Sequence, residues 1–236
     1  MLRSVEIELS VKFSPPFANT FSVSRNYMKK QRLTFVITLF LINFQILFSQ
    51  SKVENYYNVN FEKISKEEFE KTSNQKGYRY NRFDLEDQIA NILYQPKTRG
   101  KLTLEEFSSI KNQLNKIASL KNGYIIIIYY PGKDRCNGME RNSTWNIFDR
   151  DYGKEVTKLV ENNQFWIYKN NENLKYYYPK KINWKKDENQ VFEKLFFKMH
   201  YPCFSSTVID EKGNFISNLG EFGKQSIIED IKELKK

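Results

Sequence analysis

The sequence predicts an α/β domain over residues 122–236, with a mixed sheet between flanking helices, preceded by a helical segment over 51–121. Two observations predict the sheet. The run "YIIIIYY" (124–130) is β-branched and aromatic throughout, which is typical of a strand covered on both faces. The stretch "STVIDEKGNFI" (206–216) fits two strands joined by a tight turn. Amphipathic helical patterns alternate with these strands, as they do in α/β folds.

Residues 51–121 are expected to be mostly helical. In "SKEEFEKTSNQ", Ser65 is placed to cap a helix and Glu68 follows three residues later, as in a capping box. The stretch "FDLEDQIANILYQ" spaces its apolar residues as one helical stripe that ends before Pro96. That stripe consists of Leu85, Ile89, Ile92 and Leu93.

The third predicted helix is "TLEEFSSIKNQLNKIASL". Thr103 and Glu106 have the spacing of a capping box. The apolar residues repeat at helical spacing, so one face is expected to pack on the following domain. That face comprises Leu104, Phe107, Ile110, Leu114 and Ile117.

Within the α/β domain the pattern predicts the order β-α-β-α-β-β-α. A helix between two strands implies a parallel pair, whereas the short "EKGN" link implies an antiparallel hairpin. Asp187 is expected to cap the helix that contains Val191, Phe192 and Leu195. The predicted segments after the first strand are a helix over 153–160, a strand over 164–169, a helix over 187–200, the hairpin around Gly213 and a terminal helix over 226–236.

Residues 28–50 predict an export signal. Lys29, Lys30 and Arg32 precede a mostly apolar run that ends at "FSQ", which is typical of a secretory signal peptide. An uncleaved membrane anchor is the alternative, although the run is short for a bilayer span. Signal peptides begin at the N-terminus, so residues 1–27 are interpreted as a gene-start artefact. The mature protein is then expected in a bacterial periplasm or outside the cell.

The chain carries a formal net charge of +10 and is 40% hydrophobic, so it can fill a core. Lys and Glu alternate along it, which favours a solvated surface over a nucleic-acid partner. One loop, "NLKYYYPKKINWKK" (173–186), combines aromatic and basic residues that can contact sugars, anions or an envelope protein. A lid packed over the core is the alternative for the same residues. The candidate binding residues are Tyr176, Tyr177, Tyr178, Lys180, Lys181 and Trp184.

No cofactor or metal is expected from the sequence. There is no His/Cys cluster with metal-ligand spacing and no phosphate-binding glycine loop. His200 is the single histidine, near Cys203. It is expected to interact with a helix dipole rather than to activate the thiol.

The element order and the hairpin "VIDEKGNF" resemble the thioredoxin-like fold, closest to its secreted thiol–disulfide branch, over roughly residues 122–235. Members of that superfamily carry a Cys-x-x-Cys pair after the first core strand, and a cis-proline before the hairpin faces it. Here the corresponding loop is "PGKDRCNG", in which Cys136 has no neighbouring cysteine. Pro202 lies eight residues before Asp210, about two more than the family spacing.

The resemblance implies that Cys203 and Cys136, the only two cysteines, lie close enough for one disulfide. Such a bridge is worth about 3 to 4 kcal/mol by chain-entropy arguments. Three functions remain open at this point. The first is a redox-inactive module with a structural disulfide. The second is a thiol–disulfide oxidoreductase or redox sensor that uses the two cysteines as catalytic residues. The third is a binding protein that uses the loop 174–186.

Overall fold

A computed structural model of the chain describes residues 52–134, 150–174 and 182–236. The chain divides between Lys52 and Val53, and every element below lies in the unit Val53–Lys236. The predicted signal segment 28–50 and the segment 1–27 lie outside the described residues, as does Cys136.

The described residues form ten strands and five α-helices. The strands are β1 (Val53–Tyr57), β2 (Lys63–Ile64), β3 (Arg79–Asp84), β4 (Gln88–Tyr94), β5 (Lys97–Lys101), β6 (Tyr124–Tyr130), β7 (Asn162–Tyr168), β8 (Lys185–Lys186), β9 (Ser205–Ile209) and β10 (Asn214–Asn218). The helices are α1 (Lys66–Ser73), α2 (Leu104–Asn115), α3 (Arg150–Leu159), α4 (Val191–Leu195) and α5 (Lys224–Leu234), and a short 3₁₀ turn, Glu188–Gln190, precedes α4.

The larger sheet has six strands in the order β5-β10-β9-β6-β7-β8. β6 pairs in parallel with β7, and β7 pairs in parallel with β8. On the other side β6 is antiparallel to β9, β9 to β10, and β10 to β5. The predicted mixed sheet, its parallel pair and its antiparallel hairpin are therefore confirmed.

β6 is the central strand because its residues are apolar on both faces. Ile125 and Ile127 contribute to a core cluster that includes Ile110 and Leu114 of α2 and three phenylalanines of the 192–197 segment. Ile126 and Ile128 point to the opposite face, in a cluster with residues of α3 and α5. All four isoleucines are at most 4% exposed. Each contributes roughly 2 kcal/mol of hydrophobic stabilisation, and helices cover both faces of the sheet.

The helix predicted over 187–200 is shorter than expected. Asn189 and Gln190 have positive φ angles of 60° and 57°, so the chain makes a 3₁₀ turn before α4 begins. Asp187 was expected to cap this helix. Its carboxylate accepts hydrogen bonds from the backbone N–H groups of Phe192 (3.2 Å) and Glu193 (2.9 Å), in the first turn of α4.

The hairpin between β9 and β10 is built on Asp210. Its carboxylate accepts the backbone N–H groups of Lys212 and Asn214, both at 2.8 Å, and the side-chain amide of Asn214 at 2.6 Å. Gly213 has a φ of 82°, a conformation that favours glycine. The predicted turn residues are thus those that close the hairpin.

The prediction of a mostly helical segment over 51–121 was wrong. β1 to β4 form a second, four-stranded sheet in the order β2-β1-β4-β3, and β5 belongs to the larger sheet. The stretch "QIANILY", expected to be helical, is β4, which pairs in parallel with β1 and antiparallel with β3. Pairing on both edges satisfies the backbone hydrogen-bonding groups of β4, and its side chains Ala90, Leu93 and Tyr94 are buried. Leu85, placed on the predicted helical stripe, lies in the turn before β4 and is 43% exposed.

α1 packs on this smaller sheet through one aromatic side chain. Phe69 is buried, with ring centroids 5.0 Å from Tyr56 of β1 and 5.3 Å from Tyr80 of β3. The predicted cap is present, because Ser65 Oγ accepts the backbone N–H of Glu68 at 3.1 Å. The ring contacts hold α1 against the smaller sheet, and the cap stabilises its first turn.

α2 begins at the predicted capping box. The backbone N–H of Glu106 donates to Thr103 Oγ1 (3.1 Å), and the backbone N–H of Thr103 donates to Glu106 Oε2 (2.8 Å). Ile110 and Leu114 are fully buried in the core of the larger sheet, as predicted. Leu104 was expected on the same face but is 87% exposed, because it occupies the first turn of the helix, beyond the core cluster.

We expect Thr103→Ala to lower the free energy of unfolding by about 1 kcal/mol, because it removes the side-chain acceptor of the capping box. Urea unfolding followed by far-UV circular dichroism measures the change. Thr98→Ala, on the edge strand β5, is the matched control and is expected to change it by less than about 0.5 kcal/mol. Equal losses in the two variants would contradict a capping role.

Candidate functional site

Three segments with chemically active side chains meet at one end of the larger sheet. Residues 131–134 follow β6, residues 169–174 follow β7, and residues 200–204 lead into β9. β6 and β7 are parallel and β9 is antiparallel to β6, so the first two segments leave the sheet where the third enters it. Clefts at the carboxyl ends of parallel strands are common ligand sites.

Asp134 links the loop after β6 to the segment before β9. Its Oδ2 accepts the backbone N–H of Cys203 at 2.7 Å and lies 3.1 Å from His200 Nε2. The Asp134 side chain is 13% exposed and that of His200 is 32% exposed. A single carboxylate oxygen therefore holds two residues that are 66 and 69 positions further along the chain.

Cys203 has a positive φ of 66°, which is unusual for a residue with a side chain. The hydrogen bond from its backbone N–H to Asp134 helps to hold this conformation. Cys203 is partly buried beside the core cluster of α3 and α5. Cys136, the other predicted disulfide and catalytic residue, lies outside the described residues.

The segment 200–204 is held from several sides. Asn81 of β3 donates to the carbonyl oxygen of His200 at 2.8 Å. Gly220 has a φ of 71°, and a Cβ there would lie 3.1 Å from the carbonyl oxygen of Pro202. Glu221 donates its backbone N–H to the same oxygen at 3.2 Å. No peptide bond of the described residues is cis, and Pro202 is among them, so it lacks the isomer that the family resemblance implied.

The expectation that His200 interacts with a helix dipole was wrong. α4 ends at Leu195, and the structure instead places the His200 imidazole against Asp134. Sequence reasoning missed Asp134 as a site residue. Its only signal was its position two residues before Cys136 in the loop after β6.

We expect Asp134→Ala to lower the free energy of unfolding by about 1 to 2 kcal/mol, because the Cys203 amide loses a charged acceptor. Urea unfolding of the oxidised protein measures this loss. Asp87→Ala, on the exposed turn before β4, is the matched control. A loss no larger than that of the control would show that Asp134 does not position the Cys203 segment.

Trp184 is the one predicted binding residue that the structure describes; Tyr176, Tyr177, Tyr178, Lys180 and Lys181 lie outside the described residues. Its ring lies edge-on to Trp166 (5.4 Å) and to Tyr130 (6.2 Å), and 6.0 Å from Phe204. Tyr130 and Phe204 are buried, so Trp184 belongs to an aromatic cluster that extends from the core to the surface.

A groove of about 640 Å³ opens beside this cluster. Its volume is within the range of small-molecule sites. Sequence reasoning had not identified the asparagines that line it, since isolated asparagines in loops are most often turn residues. The groove-lining residues include Tyr168, Asn171, Glu172, Asn173, Asn183 and Trp184.

A buried tyrosine pair lies behind the segment 200–204. Tyr201 packs edge-on against Tyr94, with ring centroids 5.1 Å apart. Burial raises the pKa of Tyr201 to about 12 and also raises that of Tyr94. Both phenols therefore stay neutral near pH 7, and they serve packing between β4 and the segment before β9.

Within the described ranges, no three His, Cys, Asp or Glu side chains are grouped so as to hold a metal ion. No helix in the same part of the chain is both long and apolar enough to span a bilayer. Compared with known proteins, the chain matches no protein-family model, no curated protein and no solved structure.

Proposed function

We propose that residues 122–236 form an exported thioredoxin-like module in which a Cys136–Cys203 disulfide is a structural cross-link. The observation that carries the proposal is the contact between Asp134 and Cys203: the backbone N–H of Cys203 donates to the Asp134 carboxylate across 69 residues of sequence. This contact joins the loop that carries one cysteine to the segment that carries the other.

The strand order supports the thioredoxin-like part of the proposal. The arrangement β10-β9-β6-β7 contains one parallel pair next to an antiparallel hairpin. α3 connects the parallel strands, and α5 follows the hairpin. This is the connectivity that the resemblance implies, and β5 and β8 extend the sheet at its two edges.

The covalent chain limits how far Cys136 can lie from Cys203. Cys136 follows Asp134 by two residues, so their Cα atoms are at most about 7 Å apart. Asp134 is itself hydrogen-bonded to Cys203. Cys136 and Cys203 are the two cysteines of the chain, so one internal disulfide is available to it.

A structural role is favoured over thiol exchange. An exchanging pair needs a second thiol close to the attacking one, to resolve the mixed disulfide. The residues next to Cys136 in "KDRCNGM" supply none, and Cys203 is partly buried against the core. A long-range disulfide in an exported domain is most often a stabilising cross-link.

Thiol counting tests the proposal. The purified protein, unfolded in denaturant with an alkylating agent, is expected to show no reactive thiol before reduction and two after it. Two free thiols before reduction would reject the disulfide. A pair that is reduced rapidly by a dithiol, and that then reduces insulin, would favour the oxidoreductase alternative.

Export rests on residues 28–50, in which basic residues precede an apolar run. N-terminal sequencing of the protein recovered from a bacterial periplasm or medium is expected to begin near Ser51. A mature protein that begins at Met1 or Met28 would contradict cleavage, and recovery in the membrane fraction would favour the anchor.

A further inference from the structure

The proposed disulfide gives no role to the residues that line the groove beside Trp184. Three carboxamide side chains, Asn171, Asn173 and Asn183, share it with the carboxylate of Glu172, two aromatic residues and two aliphatic residues. Asn171, Glu172 and Asn183 are exposed, so their polar groups are accessible from solvent.

One of these carboxamides lacks a partner. Asn173 Nδ2 is shielded from solvent and has no hydrogen-bond partner among the described residues. An unsatisfied buried donor costs about 1 to 3 kcal/mol. Asn173 also has a φ of 62°, in the left-handed region that asparagine adopts more readily than most residues. A ligand oxygen that accepts from this amide would remove the cost.

Among the described lining residues the one charged group is a carboxylate. No lysine or arginine lines the groove in the described part of the chain. The single carboxylate, Glu172, already has Lys133 Nζ at 3.3 Å from its Oε1. A carboxylate beside three carboxamides suits a neutral ligand that carries hydroxyl groups.

Carboxamides both donate and accept hydrogen bonds, which suits hydroxyl groups because hydroxyls do the same. An aromatic ring beside them suits the apolar C–H faces of a sugar. Trp184 is held by Tyr130, Trp166 and Phe204, so little side-chain entropy remains to be lost on binding. We infer that this groove binds a neutral oligosaccharide, with Trp184, Asn173 and Asn183 as its recognition residues.

This site is independent of the disulfide, and a binding experiment tests it on the intact, oxidised chain. Four neutral tetrasaccharides serve as probes: cellotetraose, maltotetraose, mannotetraose and chitotetraose. Isothermal titration calorimetry measures the dissociation constant for each, and tryptophan fluorescence reports on binding near Trp184. A hyaluronan tetrasaccharide and a mixture of neutral hexapeptides represent anionic and peptide ligands.

The variants remove the carboxamides with little strain. Asn173→Gly deletes the amide yet keeps a residue that tolerates positive φ, and Asn183→Ala changes an exposed position. Asn60→Gly, in the exposed turn between β1 and β2, is the matched control. We expect the double variant to bind about tenfold more weakly, as two lost hydrogen bonds predict. The control should bind like the wild type.

Saturable binding of at least one neutral tetrasaccharide, weakened in the double variant but not in the control, supports the site. If the double variant does not fold, Asn183→Ala alone is expected to weaken binding about threefold. Three results would overturn the proposal: no binding of any neutral tetrasaccharide at millimolar concentration, equal affinity in the variants, or binding confined to the hyaluronan or peptide probes.

Discussion

Replacing Lys97 with methionine is expected to lower the free energy of unfolding by about 3 kcal/mol at pH 7, because it leaves the charge of Asp230 without its cation. Asp230 lies on α5 with a fully buried side chain, and Lys97 Nζ lies 2.6 Å from its Oδ1. Asn218 Nδ2 donates to the other oxygen at 2.6 Å but carries no charge. The loss should be near the lower end of the range for breaking a buried ion pair, since the Lys97 side chain is 31% exposed.

Urea unfolding at pH 7 measures the change, and the same strand offers a matched control. Lys101→Met replaces an exposed lysine at the other end of β5, so it is expected to change the free energy of unfolding by less than about 0.5 kcal/mol. The double variant Lys97→Met with Asp230→Asn should recover at least half of the loss, because no buried charge remains. Equal losses in Lys97→Met and Lys101→Met would contradict the assignment.

The loss should also depend on pH. Burial raises the pKa of Asp230 above its usual value of about 4 in the folded state, even though Lys97 and Asn218 oppose that shift. A carboxyl group with a raised folded pKa favours the fold when it is protonated, and this contribution is lost as the pH rises through the folded pKa. Removing Lys97 raises the folded pKa further. The difference between wild type and Lys97→Met is therefore expected to be small near pH 4 and largest near pH 7.

The α/β core was predictable because its strongest signals are local. The run Tyr124–Tyr130 admits a buried strand and little else, since seven consecutive β-branched and aromatic residues cannot leave one face polar. The hairpin around Asp210 and Gly213 depends on contacts within five residues. The terminal helix shows its buried face as Ile227, Ile228 and Ile231. In each case the residues that determine the conformation lie within the segment itself.

The smaller sheet was not predictable in the same way. In β4, Ile89, Ile92 and Leu93 have the spacing of a helical stripe, and a mostly apolar stretch of seven residues also fits a strand. What decides between the two is pairing with β1, more than thirty residues earlier, and with β3. Propensity is a weak prior where such tertiary pairing is available.

The candidate site was predictable only in outline. The element order brings the loop after β6 and the segment before β9 to one end of the sheet, so the proximity of these two segments could be inferred. The role of Asp134 could not, because its contacts with His200 and Cys203 span more than sixty residues. Asn173 and Asn183 lie in the predicted binding loop 173–186, but that prediction rested on its aromatic and basic residues, and nothing in the sequence singled out the asparagines.

Loss of the proposed disulfide is expected to have the largest effect of any single change. The bridge between Cys136 and Cys203 would close a loop of sixty-odd residues, and its removal should lower the free energy of unfolding by about 3 to 4 kcal/mol. Cys203→Ser is the first variant, and urea unfolding under non-reducing conditions is the measurement. A loss of that size is a large part of the 5 to 15 kcal/mol that typical domains possess.

Cys203→Ser alone does not identify the cause, since it also replaces a sulfur that packs beside the core cluster of α3 and α5. Two further measurements separate packing from cross-linking. The reduced wild type keeps both sulfurs and lacks only the bond, and Cys136→Ser changes the other end of the same bridge. If the disulfide stabilises the fold, the reduced wild type and Cys136→Ser should unfold at the same urea concentration, well below that of the oxidised wild type. Cys203→Ser should unfold at that concentration or at a lower one, because it also loses the packing of its sulfur. A Cys136→Ser protein as stable as the oxidised wild type would show that Cys203 acts through packing alone, and the proposed cross-link would then be wrong.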